Sequence, residues 1–132
     1  MPRTYVALDL ETTGLSPDRD AIIEIGAVKF RDDQVLDTWS SLVNPQRPIP
    51  YKIEQLTGIT SREVSRAPTI ESLLEPLRRF VGRHPLVGHN IVNFDLKILR
   101  RYRLFLDNLP IDTFELAGIL SVSYTHLTLP TN

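Results

Sequence analysis

Val6-Ala7-Leu8-Asp9-Leu10-Glu11-Thr12-Thr13-Gly14 reads as an apolar strand that ends in two acids and turns at a glycine. Side chains alternate faces along a strand, so Asp9 and Glu11 point the same way, about 7 Å apart along the backbone. Tyr5 and Ala7 share their face, and Val6, Leu8 and Leu10 line the other. A strand apolar on both faces belongs in the middle of a sheet, covered on both sides. Two neighbouring carboxylates at its end repel each other and lose hydration. A divalent cation bound through oxygen relieves that most simply. The competing reading puts both acids in a solvated loop, with Glu11 as a helix or turn cap. The buried strand before them and the Thr12-Thr13-Gly14 turn after them favour the metal site.

Outward from that strand, Leu15 to Asp20 is a turn-rich loop. Ala21–Phe30 and Gln34–Val43 read as two further strands joined by a turn at Asp32-Asp33, making a meander. Glu24, inside the second run, is expected to pair with a neighbouring segment rather than to bind a metal. The prolines of Asn44–Pro50 keep that segment extended. A short helical piece follows and stops at Gly58, and Thr60-Ser61-Arg62-Glu63 has capping-box spacing. Ile70, Leu73, Leu74, Leu77, Phe80 and Val81 fall on one helical face closed by Gly82, with Pro76 inside expected to bend the helix. Pro85–Gly88 is a short buried strand.

The second informative stretch is His89-Asn90-Ile91-Val92-Asn93-Phe94-Asp95. A helix is expected after it, with Phe94, Ile98, Leu99, Tyr102 and Phe105 on its apolar face. Asp95 shares that face and looks inward, and a first-turn position would let the helix dipole favour its charge. An acid serving only the helix terminus is the plainer account of Asp95 alone. With Asp9 and Glu11 also needing a cation, three acids converging on one metal site is the better one. Lys97, Arg100, Arg101 and Arg103 read as a solvated basic face, with phosphate contact as the bolder alternative. Ile111-Asp112-Thr113 is one more strand end, and Phe114 to Leu120 begins a helix. Three strands in meander followed by alternating helices and strands specify a mixed α/β sheet with helices packed on both faces.

Bulk properties narrow the function classes. With 132 residues the chain makes one domain, and a net charge of -1 excludes a generally basic nucleic-acid coat while leaving room for a local basic groove. Without cysteine there is neither a disulfide nor a thiolate metal site. No apolar run spans a membrane and no signal-peptide pattern opens the chain, so a cytoplasmic protein with no membrane partner is expected. There is no Gly-x4-Gly-Lys-Ser/Thr and hence no ATPase loop.

Asp9-x-Glu11-Thr12 together with Asn90-x-x-x-Phe94-Asp95 resembles the first two motifs of the DnaQ-like 3'-5' exonucleases, the DEDDh-type group with a ribonuclease-H-like fold. Leu56-Thr57-Gly58-Ile59 and Asp112-Thr113 resemble that family's linking features. The resemblance covers residue 4 to about residue 120. It is similar in wording to polymerase III epsilon-type proofreading domains, and more so to the exonuclease domain preceding some DinG-type helicases. The resemblance implies two-metal phosphodiester hydrolysis with Mg2+ or Mn2+, acting on nucleic acid with a 3' end, single-stranded DNA foremost. Asp9 would bridge two ions, with Glu11 and Asp95 each holding one. Thr12, Thr13, Leu56, His89, Asn90 and Phe94 would seat the terminal nucleotide. A polymerase or a fused helicase is the implied partner. An exoribonuclease of the same fold, and a catalytically silent nucleic-acid-binding module, are the alternatives.

The family's third motif, His-x4-Asp, has no counterpart: five residues beyond His126 stands Thr131. The stretch Val122 to Thr131 resembles a reading-frame translation of a transposon-end adapter used in sequencing libraries. The expectation is therefore a C-terminally truncated exonuclease domain over 1–121 with a non-native tail over 122–132. Loss of general-base help, worth about 10²–10⁴-fold, would leave such a fragment inactive.

Overall fold

The computed structural model describes residues 3–114. Five strands form one sheet in the order β3-β2-β1-β4-β5. β1 (Thr4–Thr12), β2 (Ile22–Arg31) and β3 (Gln34–Leu42) are the antiparallel meander, within a residue or so of the expected bounds. β4 (Leu86–Gly88) and β5 (Pro110–Asp112) then add parallel to β1 on its other side. The acid-bearing strand is thus central, and β1, β4 and β5 point their C-terminal ends the same way.

Between β3 and β4 come α1 (Tyr51–Thr57), α2 (Ser61–Val64) and α3 (Ile70–Val81). α1 stops at Gly58, whose φ of 76° is the left-handed conformation that a side chain would strain. α2 starts with the reciprocal capping box of Thr60 and Glu63 that their spacing predicts. In α3, Ile70, Leu73, Leu77 and Val81 are buried against Val6, Leu8 and Leu10 of β1, and Ile25 and Ala27 of β2 complete that layer. Pro76 stands inside α3 without ending it. Ile23, Ile49, Ile59 and Val64 form a satellite core under α1 and α2.

Among the described residues these helices cover one face of the sheet. On the other face Tyr5 stacks on Phe30, and a shallow apolar groove of about 450 Å³ runs past Ala7, Gly26, Val28 and Thr113. The helix expected from Phe114 to Leu120, like the tail over 122–132 and the His126 position, falls outside the described residues beyond its first position.

The helix after β4 differs from expectation at both ends. It opens with a π-helical turn, Ile91–Asp95, and continues as α4 (Leu96–Arg100), well short of Phe105. Arg103 N–H donates to the Arg100 carbonyl and Leu104 N–H to the Leu99 carbonyl, while Arg103 takes φ 61°. That is a Schellman stop with arginine where glycine is usual, and Leu104 and Leu99 are both fully buried beside it. Phe105 is buried too, but from the loop beyond the helix.

Candidate functional site

The site lies where β1 and β4 part. Their pairing is registered only at Val6↔Leu86 and Ala7↔Val87, because β4 ends at Gly88. Beyond that point, among the described residues, the β1 edge has no strand beside it. The Leu10 N–H is taken instead by the Asp95 carboxylate, Oδ2 accepting at 3.2 Å. Asp95 is 6 % exposed and does look inward, as its helical face requires. It is the fifth residue of the π-helical turn, not a first-turn residue, and it caps no helix N–H. The dipole argument for its charge is therefore replaced by the hydrogen bond to β1.

Asp95 thus reaches the backbone of the residue between Asp9 and Glu11. Those two share a face of β1, opposite Gly26 and Glu24 respectively. Gly26 leaves Asp9 without a side chain across from it, and Asp9 is exposed. Glu24 has no cationic partner within salt-bridge distance among the described residues, contrary to the pairing expected of it. It faces Glu11 and adds to the negative charge.

The electrostatics follow from that crowding. Burial, helped by the charges of Asp9 and Asp112 and opposed by the Asp95 and Leu10 N–H groups, pushes the Asp95 carboxyl up to about 7. The Glu11 carboxyl is raised by partial burial, then by Asp9 and Glu24. Carboxyls crowded at a strand end form a donor set suited by chemistry to a hard divalent cation. Even so, among the described residues no three His, Asp or Glu side chains are arranged to hold a metal ion as they stand. The three acids share one neighbourhood, with Asp95 engaged by β1 rather than turned into a formed cage.

Beside Glu11 a cleft of about 250 Å³ is lined by Leu10, Thr12, Gly14, Leu15, Ile53, Leu56, Thr57 and Phe94. It brings together four residues singled out in the sequence: Glu11, Thr12, Leu56 and Phe94. Leu56 is 74 % exposed and Leu15 90 % exposed. Leu15 was hidden in a loop that reads only as a turn; its signal was a large apolar side chain next to the strand-end acids. The Thr12 hydroxyl donates to the Gly14 carbonyl at 2.6 Å and so shapes the turn.

Three expected nucleotide-seating residues do other work. Thr13 is buried, donating to Asp20 Oδ1 at 2.9 Å and accepting from Ala21 N–H at 3.0 Å. Its hydroxyl is used up inside the loop. Asp20, also unnoticed in the sequence, accepts from Ser16 N–H at 2.8 Å and packs where a Gly14 Cβ would stand. His89 and Asn90 do not line the cleft: His89 is exposed, edge-on to Phe114, and Asn90 supplies a left-handed turn at φ 55°.

The Asn90 turn is held by Asp112 at the end of β5. Its carboxylate accepts from Asn90 and Phe114 at 2.9 Å each and from Val92 at 3.2 Å. Burial, the largest single influence, works to raise the carboxyl, but the three N–H bonds and the nearby His89 together outweigh it and hold the carboxyl below the usual aspartate value. The basic face is only partly free. Arg101 donates to the carbonyls of Pro17 and Asp20, tying α4 to the loop after β1, and Arg100 donates to the Phe105 carbonyl.

Comparison with known proteins agrees with this architecture. A family model described as exonuclease, of the RNase T type, matches residues 6–128. PolC-type DNA polymerase III of Clostridium perfringens is 45% identical over 119 residues, 88% of this chain and 8% of that protein. The PolC-type polymerase of Bacillus subtilis is 37% identical over 134 residues, 97% and 9%. The chain therefore spans under a tenth of the length of these curated relatives. Among solved structures, product-bound exonuclease I superposes with TM-score 0.81 at 19% identity, covering 100% of this chain and 35% of that one. The metal-free complex of Escherichia coli exonuclease I with single-stranded DNA gives 0.77 at 21%, covering 90% and 30%. Among the described residues no helix is long and apolar enough to cross a membrane. With the mixed sheet, the acids at its strand ends and a family match over nearly its whole length, the chain belongs to the DnaQ-like exonucleases of the RNase T family.

Proposed function

We propose that this chain is the exonuclease part of a DNA-processing enzyme that removes nucleotides from a 3' end, in a polymerase rather than a helicase context. The observation that carries the reading is Asp95 bound to the Leu10 N–H, within one strand segment of Asp9 and Glu11. Burial raises both Glu11 and Asp95, the Asp9 charge adds to each, and the fold asks only for a hydrogen-bond acceptor at Asp95, so this crowding of carboxyls points to a functional site. DNA is favoured over RNA by the PolC-type relatives and by a fold neighbour bound to single-stranded DNA.

Asp9, Glu11 and Asp95 would hold two Mg2+ or Mn2+ ions, which supply charge neutralisation and an activated water at the terminal phosphodiester. The chain's own contribution is binding and orientation. Phe94, Leu56 and Leu15 offer apolar surface to a terminal base, a stacking contact worth about 1–3 kcal/mol where the side chain is aromatic. Thr12 holds the Gly14 turn that forms the wall beside Glu11. The Asp95 proton must leave before that carboxylate can serve as a ligand, so occupancy rises with pH through about 7.

The test is degradation of a 3'-labelled single strand by the complete gene product in Mn2+, beside matched RNA and a 5'-labelled strand. Release of mononucleotides from the DNA 3' end, abolished by Asp9→Ala, is expected. Full activity in Asp9→Ala would refute the site, and preference for RNA would replace the substrate.

A further inference from the structure

We propose that Asp112 is a positioning residue for this site: by gripping the turn before the π-helical segment from the neighbouring strand, it sets where Asp95 is delivered. The inference rests on the function proposed above.

The first N–H groups of any helix lack partners within it. Here the residue in the capping position is Asn90, and its side chain makes no capping bond. Asn90 also sits in the left-handed region, which asparagine adopts more readily than most residues with a Cβ but which still leaves the turn to be fixed from outside. Asp112 supplies both needs from β5, where it pairs with Gly88, the last residue of β4. Gly88 permits the tight approach, since a Cβ there would stand 2.9 Å from both the Leu8 carbonyl and the Ile91 side chain.

Three N–H groups converge on two oxygens. Oδ1 takes Asn90 and Phe114, and Oδ2 takes Val92. Only a carboxylate presents acceptors on both sides, because an amide would aim its own N–H at one of these donors. Val92 lies three residues before Asp95, inside the same π-helical turn. Such a turn carries one residue more than an α-turn. Its relaxation would rotate Asp95 by about 100° about the helix axis, away from Leu10. The grip on Val92 therefore acts on the direction of Asp95, without Asp112 touching the substrate.

The experiment compares Asp112→Ala, Asp112→Asn, Asp9→Ala and Asn108→Ala in the complete gene product. Asn108 donates to the Gly82 and His84 carbonyls at the opposite end of β4, so its variant reports the cost of losing two hydrogen bonds far from the acids. Asp112→Ala is expected to lower kcat by about 10–100-fold and to raise the half-saturating Mn2+ concentration, with KM for DNA little changed. Asp112→Asn, which keeps the shape and the Oδ1 bonds, should fall between; it carries the test if the alanine variant does not fold. Asn108→Ala should lower the melting temperature and leave the Mn2+ dependence alone. If Asp9→Ala is inactive while both Asp112 variants keep kcat and Mn2+ dependence within about twofold of the parent, the positioning role is overturned and the site stands. If Asp9→Ala is fully active, both fall.

Discussion

Replacing Asp95 with asparagine should make the metal-free protein more stable at neutral pH while removing its activity. The carboxyl is 6 % exposed, and its proton is held to about 7 against an ordinary value of 3.8. A difference of roughly three units at 1.36 kcal/mol each sets a ceiling of about 4 kcal/mol on the cost of ionising it in the fold. The sign follows from proton counting. Between pH 4 and 7 the unfolded chain has released this proton and the folded chain retains it, so stability falls as pH rises through that window. Above it the full cost is in place. Glu11, also raised, works in the same direction, while the lowered His84 works the other way below its ordinary value. Asparagine keeps a carbonyl oxygen for the Leu10 N–H and carries no charge. Urea unfolding in EDTA should therefore show Asp95→Asn ahead of the parent by about 2–4 kcal/mol at pH 8 and nearly level with it at pH 4. Adding Mn2+ should close the gap by stabilising the parent alone. A variant less stable than the parent at both pH values would refute the reasoning, since Asp95 would then be a structural group and not a strained one.

Gly14→Ala should displace the Asp20 carboxylate, whose Oδ2 lies 2.5 Å from where the new Cβ would stand, and release Ser16 and Thr13 with it. A loss of about 1–3 kcal/mol at unchanged urea m-value is expected. Leu56→Ala, at an exposed position, should leave stability within about 0.5 kcal/mol of the parent yet raise KM for a short single strand. A binding isotherm and a melt on the same sample check both halves. Leu77→Ala removes a fully buried side chain at the centre of α3 and should cost about 2–5 kcal/mol by chemical denaturation, with no selective effect on Mn2+ binding.

Much of this was legible because the physics is local. The alternation of Val6, Leu8 and Leu10 with Asp9 and Glu11 gave a central strand, and the capping box at Thr60 and the stop at Gly58 are where their spacing puts them. The inward face of Asp95 followed from helical periodicity. What failed was information carried by non-local contacts. Arg103 ends a helix in a conformation usually left to glycine because Leu104 is drawn into the core, and nothing in its neighbours announces that. Thr13 read as a substrate contact until Asp20, seven residues on, claimed its hydroxyl. Glu24 read as a carboxylate paired with a neighbouring segment because its partner in the sheet, Glu11, cannot be known before the register is.

The decisive feature is the shortness of β4. Had it run two residues further beside β1, its carbonyls could have taken the Leu10 N–H, and Asp95 would have lost its hydrogen bond to the sheet. Because it stops at Gly88, the backbone of β1 is left open where Asp9 and Glu11 project, and a side chain from the next element must close it. A neutral amide could do so at lower cost. The sequence places a carboxylate there instead, beside two others, and so gives up stability at a position where the fold asks only for a hydrogen-bond acceptor. Ligands of open α/β sheets bind outside the carboxyl ends of the strands for this same reason: that is where parallel neighbours part and unpaired backbone can be answered by chemistry.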